Sequence, residues 1–345
     1  MSLLTPNAGP LGSLLRRRRA YVVPELRLLY VSLAKNACTS LKWLVAGLAG
    51  EDPADFVPRL GFETTFADAV HFRGYWKKVP MLKDLTPGER AAIRPDNGWF
   101  VFAVVRDPRV RLFSAWENKF LLSSPKYVGY RDQPWYPRVP ESAEQIAEDF
   151  AAFVGLLEAE PEHPLHEDSH FARQTVLLGR GDIPYSRIYD ISELGELQAD
   201  LASHLAVQGR NDPVILRHAN DTPLVANGRV FEGGVQQSIE KLYADDFDRF
   251  GHHWDLERVQ KRPEWSFEAL RHAQAVAAHA ERIIQLREIG LDAVRTRRTA
   301  RERVARLEKR VADLERQLEE AVRHRRSLAR RLGSAVRRVL GRRTG

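Results

Sequence analysis

The sequence predicts an α/β fold: a parallel sheet covered by helices, with a C-terminal α-helical coiled-coil extension. Two blocks 71 residues apart carry the first half of that prediction. Each opens with an apolar run, at 28–32 and at 99–105, crosses a short polar turn and enters an amphipathic helix pattern. A third short run at 187–189 lies between helix patterns at 144–158 and 193–205, and this alternation implies a mostly parallel sheet. The second half rests on a heptad. Val304, Leu307, Val311, Leu314, Leu318 and Ala321 fall at successive a and d positions among Arg- and Glu-rich neighbours, and Leu328 and Leu332 extend the seam past Arg325.

Taken in order, residues 1–20 read as a flexible lead, with Pro6, Gly9, Pro10 and Gly12 ahead of four arginines at 16–19. The main domain spans 21–255. Its first strand feeds a helix at 39–48. Its second, the most β-like run in the chain, feeds a helix near Pro108, a residue suited to a first turn. The irregular stretch 51–98 between them holds His71. A Tyr/Trp/Pro-rich loop at 127–140 is long enough to be functional and could wall a substrate site. Residues 256–296 read as a helical connector, and 297–345 as the coiled coil with a basic tail. A seam this narrow cannot bury itself on one exposed helix, which predicts a homo-oligomer. A single helix packed on the domain is the alternative.

With 345 residues, 43% hydrophobic and 29% charged, the chain supports one large domain plus an appendage. No apolar run approaches the ~20 residues of a membrane span, and the start of the chain lacks the apolar core of a signal peptide. One cysteine excludes an intramolecular disulfide framework and fits a reducing compartment. The expectation is a cytoplasmic enzyme, peripheral at most to the inner membrane face. Charge is uneven: nine arginines and no acid lie from Arg323 onward, while the 44 basic and 46 acidic residues before them nearly cancel. The pI of 9.6 therefore belongs to the tail and does not by itself argue for nucleic acid.

A strand–loop–helix junction presents unpaired backbone N–H groups and the positive end of a helix dipole, and so suits an anion. The first junction carries Lys35, Thr39 and Ser40; the second carries Arg106, Arg109, Arg111 and Ser114. Two such P-loop-like sites on one sheet point to a ligand with two separate phosphate groups. The first loop is not a Walker A sequence, because it lacks both glycines and the G-K-[ST] order, which makes a nucleotide hydrolase a poor reading. No acidic set for Mg²⁺ is recognisable either. Cys38 has no His partner in sequence and reads as a small residue of a tight turn rather than a nucleophile. Asp107 reads as a helix N-terminal acid, Arg111 as structural, and Asn118 and Lys119 equally as solvated surface.

Together these residues resemble the carbohydrate sulfotransferases of the family related to the HNK-1 and chondroitin/dermatan enzymes and their bacterial cousins, sulfotransferase family 2. In that family a P-K-x-x-x-T/S-S loop holds the 5′-phosphosulfate of 3′-phosphoadenosine-5′-phosphosulfate (PAPS). Here it reads Ala34-Lys35-Asn36-Ala37-Cys38-Thr39-Ser40, with Ala34 in place of the usual proline. An R-x-P-x-x-R-x-x-S-A segment holds the 3′-phosphate, and here runs from Arg106 through Pro108, Arg109, Arg111 and Ser114 to Ala115. His170-Phe171, the Tyr189-Asp190-Ile191-Ser192-Glu193 stretch and the segment from Leu242-Tyr243 to Phe250-Gly251 resemble three later family motifs. The resemblance covers roughly residues 28–253. It implies sulfuryl transfer from PAPS to a hydroxyl of a glycan or glycolipid, with no metal required. Lys35, Asn36, Ala37, Cys38, Thr39, Ser40, Arg106 and Ser114 would bind the nucleotide.

In such a transfer, negative charge builds on the leaving bridging oxygen and on the sulfuryl oxygens, so catalysis is mainly positioning plus fixed positive charge. Lys35 suits that role. An acceptor hydroxyl also needs a base. His71 is the first choice because it lies between the two phosphate motifs, and His170 the second for its family-like context; Glu63 and Glu167 remain open. The His252-His253 pair reads as chain-end packing rather than a metal site.

Two other classes compete. One is a non-catalytic coiled-coil scaffold with a head of the same family, against which intact Lys35, Arg106 and Ser114 argue. The other is a nucleic-acid-binding protein using the arginine tail; a bZIP places its basic region before the zipper, whereas here it follows, so no nucleic-acid partner is expected. The tail at 327–340 alternates Leu, Val and Ala with paired arginines. It reads either as a helix lying on an anionic membrane surface, apt for a lipid-linked glycan acceptor, or as a soluble basic helix.

Overall fold

The computed structural model describes residues 19–58, 66–179, 183–217 and 222–340. Most of the predicted N-terminal lead and Glu63 lie outside these residues. Four strands, β1 (Ala20–Val23), β2 (Leu28–Val31), β3 (Phe100–Val105) and β4 (Arg187–Asp190), form one sheet in that order. β2, β3 and β4 are parallel, with Leu28 opposite Phe100 and Val105 opposite Asp190. β1 pairs antiparallel with β2, Ala20 opposite Val31. The sheet is thus mostly parallel, as expected, with β1 as an antiparallel edge strand. The cause is local: a single turn at Pro24–Leu26, closed by Arg27 at φ 43°, joins β1 to β2, and so short a connection can only link antiparallel neighbours.

The helices are α1 (Cys38–Leu48), α2 (Pro87–Ala92), α3 (Pro108–Trp116), α4 (Ala143–Ala159), α5 (Gln174–Leu178), α6 (Leu194–Val207), α7 (Val235–Leu242), α8 (Ala244–Phe250), α9 (Leu256–Gln260) and α10 (Phe267–Leu340). Their starts follow the chemistry of caps. Ser142 accepts from the Gln145 N–H at the head of α4, whose Ile146, Phe150, Phe153 and Leu157 form one buried stripe.

Both faces of the sheet are covered, which explains why its strands read as nearly continuous apolar runs. Tyr21, Tyr30, Phe102 and Val104 pack on one face with Leu41 and Val45 of α1 and Leu197 and Leu201 of α6. Val22, Leu29, Val101 and Val105 pack on the other with Leu177, Leu178 and Phe250. A separate, aromatic core gathers Phe113, Trp116, Phe120, Phe150, Phe153 and Phe171. The Tyr/Trp/Pro-rich loop contributes to it, because Tyr127 and Trp135 are buried edge-on against Phe120.

α3 does not end at Trp116 but widens into a π-helical turn, Glu117–Leu121. Such turns are uncommon and gather at functional sites. The chain divides into two compact units at Ile284/Gln285. The stretch anticipated as connector begins with α9 and a non-helical break at 261–266, after which α10 runs unbroken from Phe267 to Leu340. No helix among the described residues is long and apolar enough to cross a membrane.

Candidate active site

The site lies where β2 and β3 end. After β2 the chain passes through Lys35 and Ala37, both left-handed at φ 69° and 54°. That conformation costs a non-glycine residue roughly 1–2 kcal/mol. Left-handed residues on either side of Asn36 make the backbone pattern of an anion nest. Ala37 also occupies the N-cap of α1 and has no side chain to accept the first helical N–H groups, which leaves them for a ligand.

Asn36 is fully buried and serves as a strut: its amide donates to the Val104 carbonyl at 2.8 Å and to Gln174 Oε1 at 2.7 Å. The same Gln174 oxygen accepts the Arg106 N–H at 3.0 Å, and Gln174 Nε2 donates back to the Arg106 carbonyl at 2.8 Å. One buried glutamine therefore ties both loops together. Its own position is set by Asp246, whose carboxylate accepts from the backbone N–H groups of Gln174 and Thr175 at 2.8 and 2.7 Å. The neighbouring Tyr243 hydroxyl donates to the Phe171 carbonyl at 2.5 Å. The closing Leu-Tyr motif is thus architectural.

The three arginines after β3 separate by role. Asp107 caps α3 and holds Arg109 at 2.7 Å, and Arg109 also reaches Glu240 at 2.9 Å. Arg111 is buried and donates to the carbonyls of Ala34, Ala172 and Ser169. The Arg106 guanidinium, among the described residues, donates only to the Lys35 carbonyl, at 3.1 Å, and meets no carboxylate. Ser114, half-buried in α3, has no side-chain partner among them either.

Cations converge here. Burial pushes the Lys35 ammonium down to about 8, with Lys119 adding to the effect and Glu117 opposing it. Burial likewise lowers Lys119, and takes Arg106 to about 10 with help from Arg262. Sequestering three positive charges is costly unless anions balance them, and an anionic ligand adds to that balance. Acids oppose them in part: Asp68 and Asp168 act on Lys119, Asp107 acts on Arg106, and Glu117 is wholly buried in the π turn. Burial pushes its carboxyl up to about 7, against hydrogen bonds from Thr222 and Leu224 and the charges of Lys35 and Arg106. Its Oε1 accepts the Leu224 N–H at 2.7 Å, while Oε2 is buried with no partner among the described residues. This donor set fits a phosphate-rich ligand.

The two candidate histidines differ in what binds them. Lys42 lies 2.8 Å from His71 Nδ1 and can only donate, so the ring proton sits on Nε2 and points to Thr39 Oγ1 at 2.9 Å. Burial, then Lys42, hold His71 well below its ordinary pKa. His170 Nδ1 lies 2.7 Å from Asp168 Oδ1 and 3.0 Å from the Tyr127 hydroxyl, which itself donates to Asp168 Oδ2 at 2.8 Å. The His170 ring therefore keeps its proton on Nδ1, leaving the Nε2 lone pair unengaged among the described residues. Burial and then Lys119 push it down to about 3, against the pull of Asp168. Burial alone would raise the Asp168 carboxyl, but the hydrogen bond and charge of His170 outweigh it and hold the acid ionised.

The sulfotransferase family model matches residues 18–253. The chain belongs to the sulfotransferase family. No curated protein and no solved structure matches it. Sulfuryl transfer is accordingly the general chemistry of this sulfotransferase domain.

Of the residues expected in the site, the structure brings Lys35, Thr39, Arg106, His71 and His170 into one electrostatically coupled group. Ala37, Cys38 and Ser40 sit at the head of α1. Asn36 contributes its side chain inward, to the scaffold. Glu167 is exposed on a turn ending at Glu167, away from any role the sulfotransferase chemistry would give it. Gln174, Glu117 and Lys119 were not anticipated. Lys119 had read equally as solvated surface, four residues past the end of the arginine motif at Ala115. Gln174 had no sequence sign.

Proposed function

We propose that this sulfotransferase moves the sulfuryl group of PAPS to a hydroxyl of a glycan or glycolipid acceptor. The observation that carries the reading is the convergence of Lys35, Lys119 and Arg106 on two anion-shaped junctions, beside a histidine held neutral with one nitrogen open. The nest around Lys35 and the N-terminus of α1 suit the 5′ end of the nucleotide; Arg106 and Ser114 suit its 3′-phosphate. Lys35 and Lys119 would balance charge developing on the leaving phosphate oxygen and the sulfuryl oxygens as the sulfur–oxygen bond breaks.

As the acceptor oxygen bonds to sulfur, its proton must leave, and we assign the receiving group as His170 Nε2, with Asp168 steadying the imidazolium that results. His71 serves differently on this reading. Its lone pair is occupied by Lys42, so taking a proton would cost it that hydrogen bond. It instead turns the Thr39 hydroxyl so that its hydrogen is free for the ligand. Both assignments refine the expectation that placed His71 first.

Calorimetric titration with 3′-phosphoadenosine-5′-phosphate tests the nucleotide half. Micromolar affinity is expected, weakened roughly tenfold to a hundredfold by Arg106→Ala, the worth of charge-assisted hydrogen bonds. Lys35→Ala should cost about 10²–10³ in turnover, more than in affinity. Absence of binding by folded wild-type protein would overturn the proposal in favour of a scaffold.

A further inference from the structure

The distal part of α10 carries an apolar seam that none of the described residues covers. Val304, Leu307, Val311, Leu314 and Leu318 are 49–66% exposed, far more than apolar residues that have found a partner. The charges beside that seam divide into two groups. Arg298 pairs with Glu302, Arg316 with Asp313 and Arg323 with Glu319, all within the helix and all at b, c or f positions on the side away from the seam. The charges flanking the seam behave otherwise. Arg303 and Arg310 at g, and Glu308 and Glu315 at e, form no ion pair among the described residues.

We propose that the occupant of this seam is a second copy of the same chain, in a parallel, in-register, two-stranded coiled coil. In that arrangement each g residue faces the e residue five positions on in the partner helix. Arg303 then meets Glu308 and Arg310 meets Glu315, and twofold symmetry doubles both to four contacts, all attractive. Turning one helix around sets e against e and g against g, which opposes arginine with arginine and glutamate with glutamate. Strand number follows from the seam itself. Val304 and Val311 at a, with Leu307 and Leu314 at d, are the combination that favours two strands over three or four. The same four charges that pair with nothing along their own helix are complete in only one of these geometries. The inference is independent of the sulfuryl-transfer reading, because it uses no residue before 298.

Sedimentation of the full chain tests it, with an expected mass twice the 39.4 kDa of one chain. The double variant Glu308→Arg/Glu315→Arg should self-associate roughly tenfold or more weakly, since all four contacts become repulsive. Arg303→Glu/Arg310→Glu should do the same. Mixed in equal amounts, the two variants should recover the dimer as a heterodimer, which also shows that neither had simply unfolded. Ala321→Cys, at a d position toward one end of the seam, should cross-link to itself on mild oxidation only in the parallel register. A monomer at tens of micromolar, a trimer or tetramer, failure of the mixed variants to pair, or no cross-link through residue 321 would each overturn the proposal.

Discussion

The two strand-to-helix junctions look alike in sequence, yet they reach an anion by different means. After β2, the backbone does the work: Lys35 and Ala37 are left-handed, and the N-cap of α1 offers no acceptor, so N–H groups remain open. After β3, the backbone is closed. Asp107 caps α3, Arg109 and Arg111 are spent on internal bonds, and only the Arg106 side chain is left to bind. A backbone site recognises the shape of a tetrahedral anion, whereas a guanidinium site recognises its charge and plane. A ligand with two dissimilar phosphate groups suits such a pair better than two copies of one group.

Gln174 joins the junctions, so removing it should have the largest effect. Gln174→Ala strands the Asn36 amide and the Arg106 backbone groups. It should cost roughly 1–3 kcal/mol in denaturant unfolding and weaken nucleotide binding although Lys35 and Arg106 remain. Unchanged affinity in a destabilised variant would show that each loop holds its shape alone.

A smaller effect should appear in pH. Glu117 has its pKa raised from 4.5 to about 7, so its folded-state advantage is whole below 4.5 and lost as pH climbs through about 7. Lys35 is lowered from 10.5 to about 8, so it costs stability wherever both states are protonated, below about 8, and that cost fades toward 10.5. Each deprotonation makes the site less positive. Affinity for 3′-phosphoadenosine-5′-phosphate should therefore fall in two steps as pH passes about 7 and about 8, and Glu117→Gln should erase the lower step alone. A titration of wild type that stays flat across both values would refute this.

The smallest effect separates the junctions most sharply. Ala37→Gly relieves a left-handed alanine and should stabilise the protein by less than about 1 kcal/mol, because glycine also loses more chain entropy on folding. Thermal melts can read this gain, and a loss would mean that Ala37 is not strained. Among the described residues, the junction after β3 has no left-handed counterpart to relieve.

Much of this was legible beforehand, for local reasons. β2, α1, β3 and α3 follow continuous apolar runs and a proline at the first turn, and their predicted and observed limits differ by a residue or so. β1 was missed because Ala20–Val23 is four residues long and directly follows an arginine run. Four residues carry no period to read. Glu117 and Lys119 were illegible for another reason: the π turn shifts which side chains face inward, and a helical pattern of 3.6 residues cannot register that shift. The role of Gln174 depends on two partners 138 and 68 positions away, which no local pattern encodes.

The hold of Asp246 on the head of α5 has a consequence for the growing chain. The carboxylate that fixes Gln174 lies 72 residues downstream of it, and 210 residues beyond Asn36. At about 5–20 residues per second, translation needs roughly 4–14 s to travel from Gln174 to Asp246. For that interval both junction loops exist as covalent chain without the clasp that joins them. A nascent chain of this protein thus cannot join the two junctions until the last motif of its sulfotransferase domain has emerged.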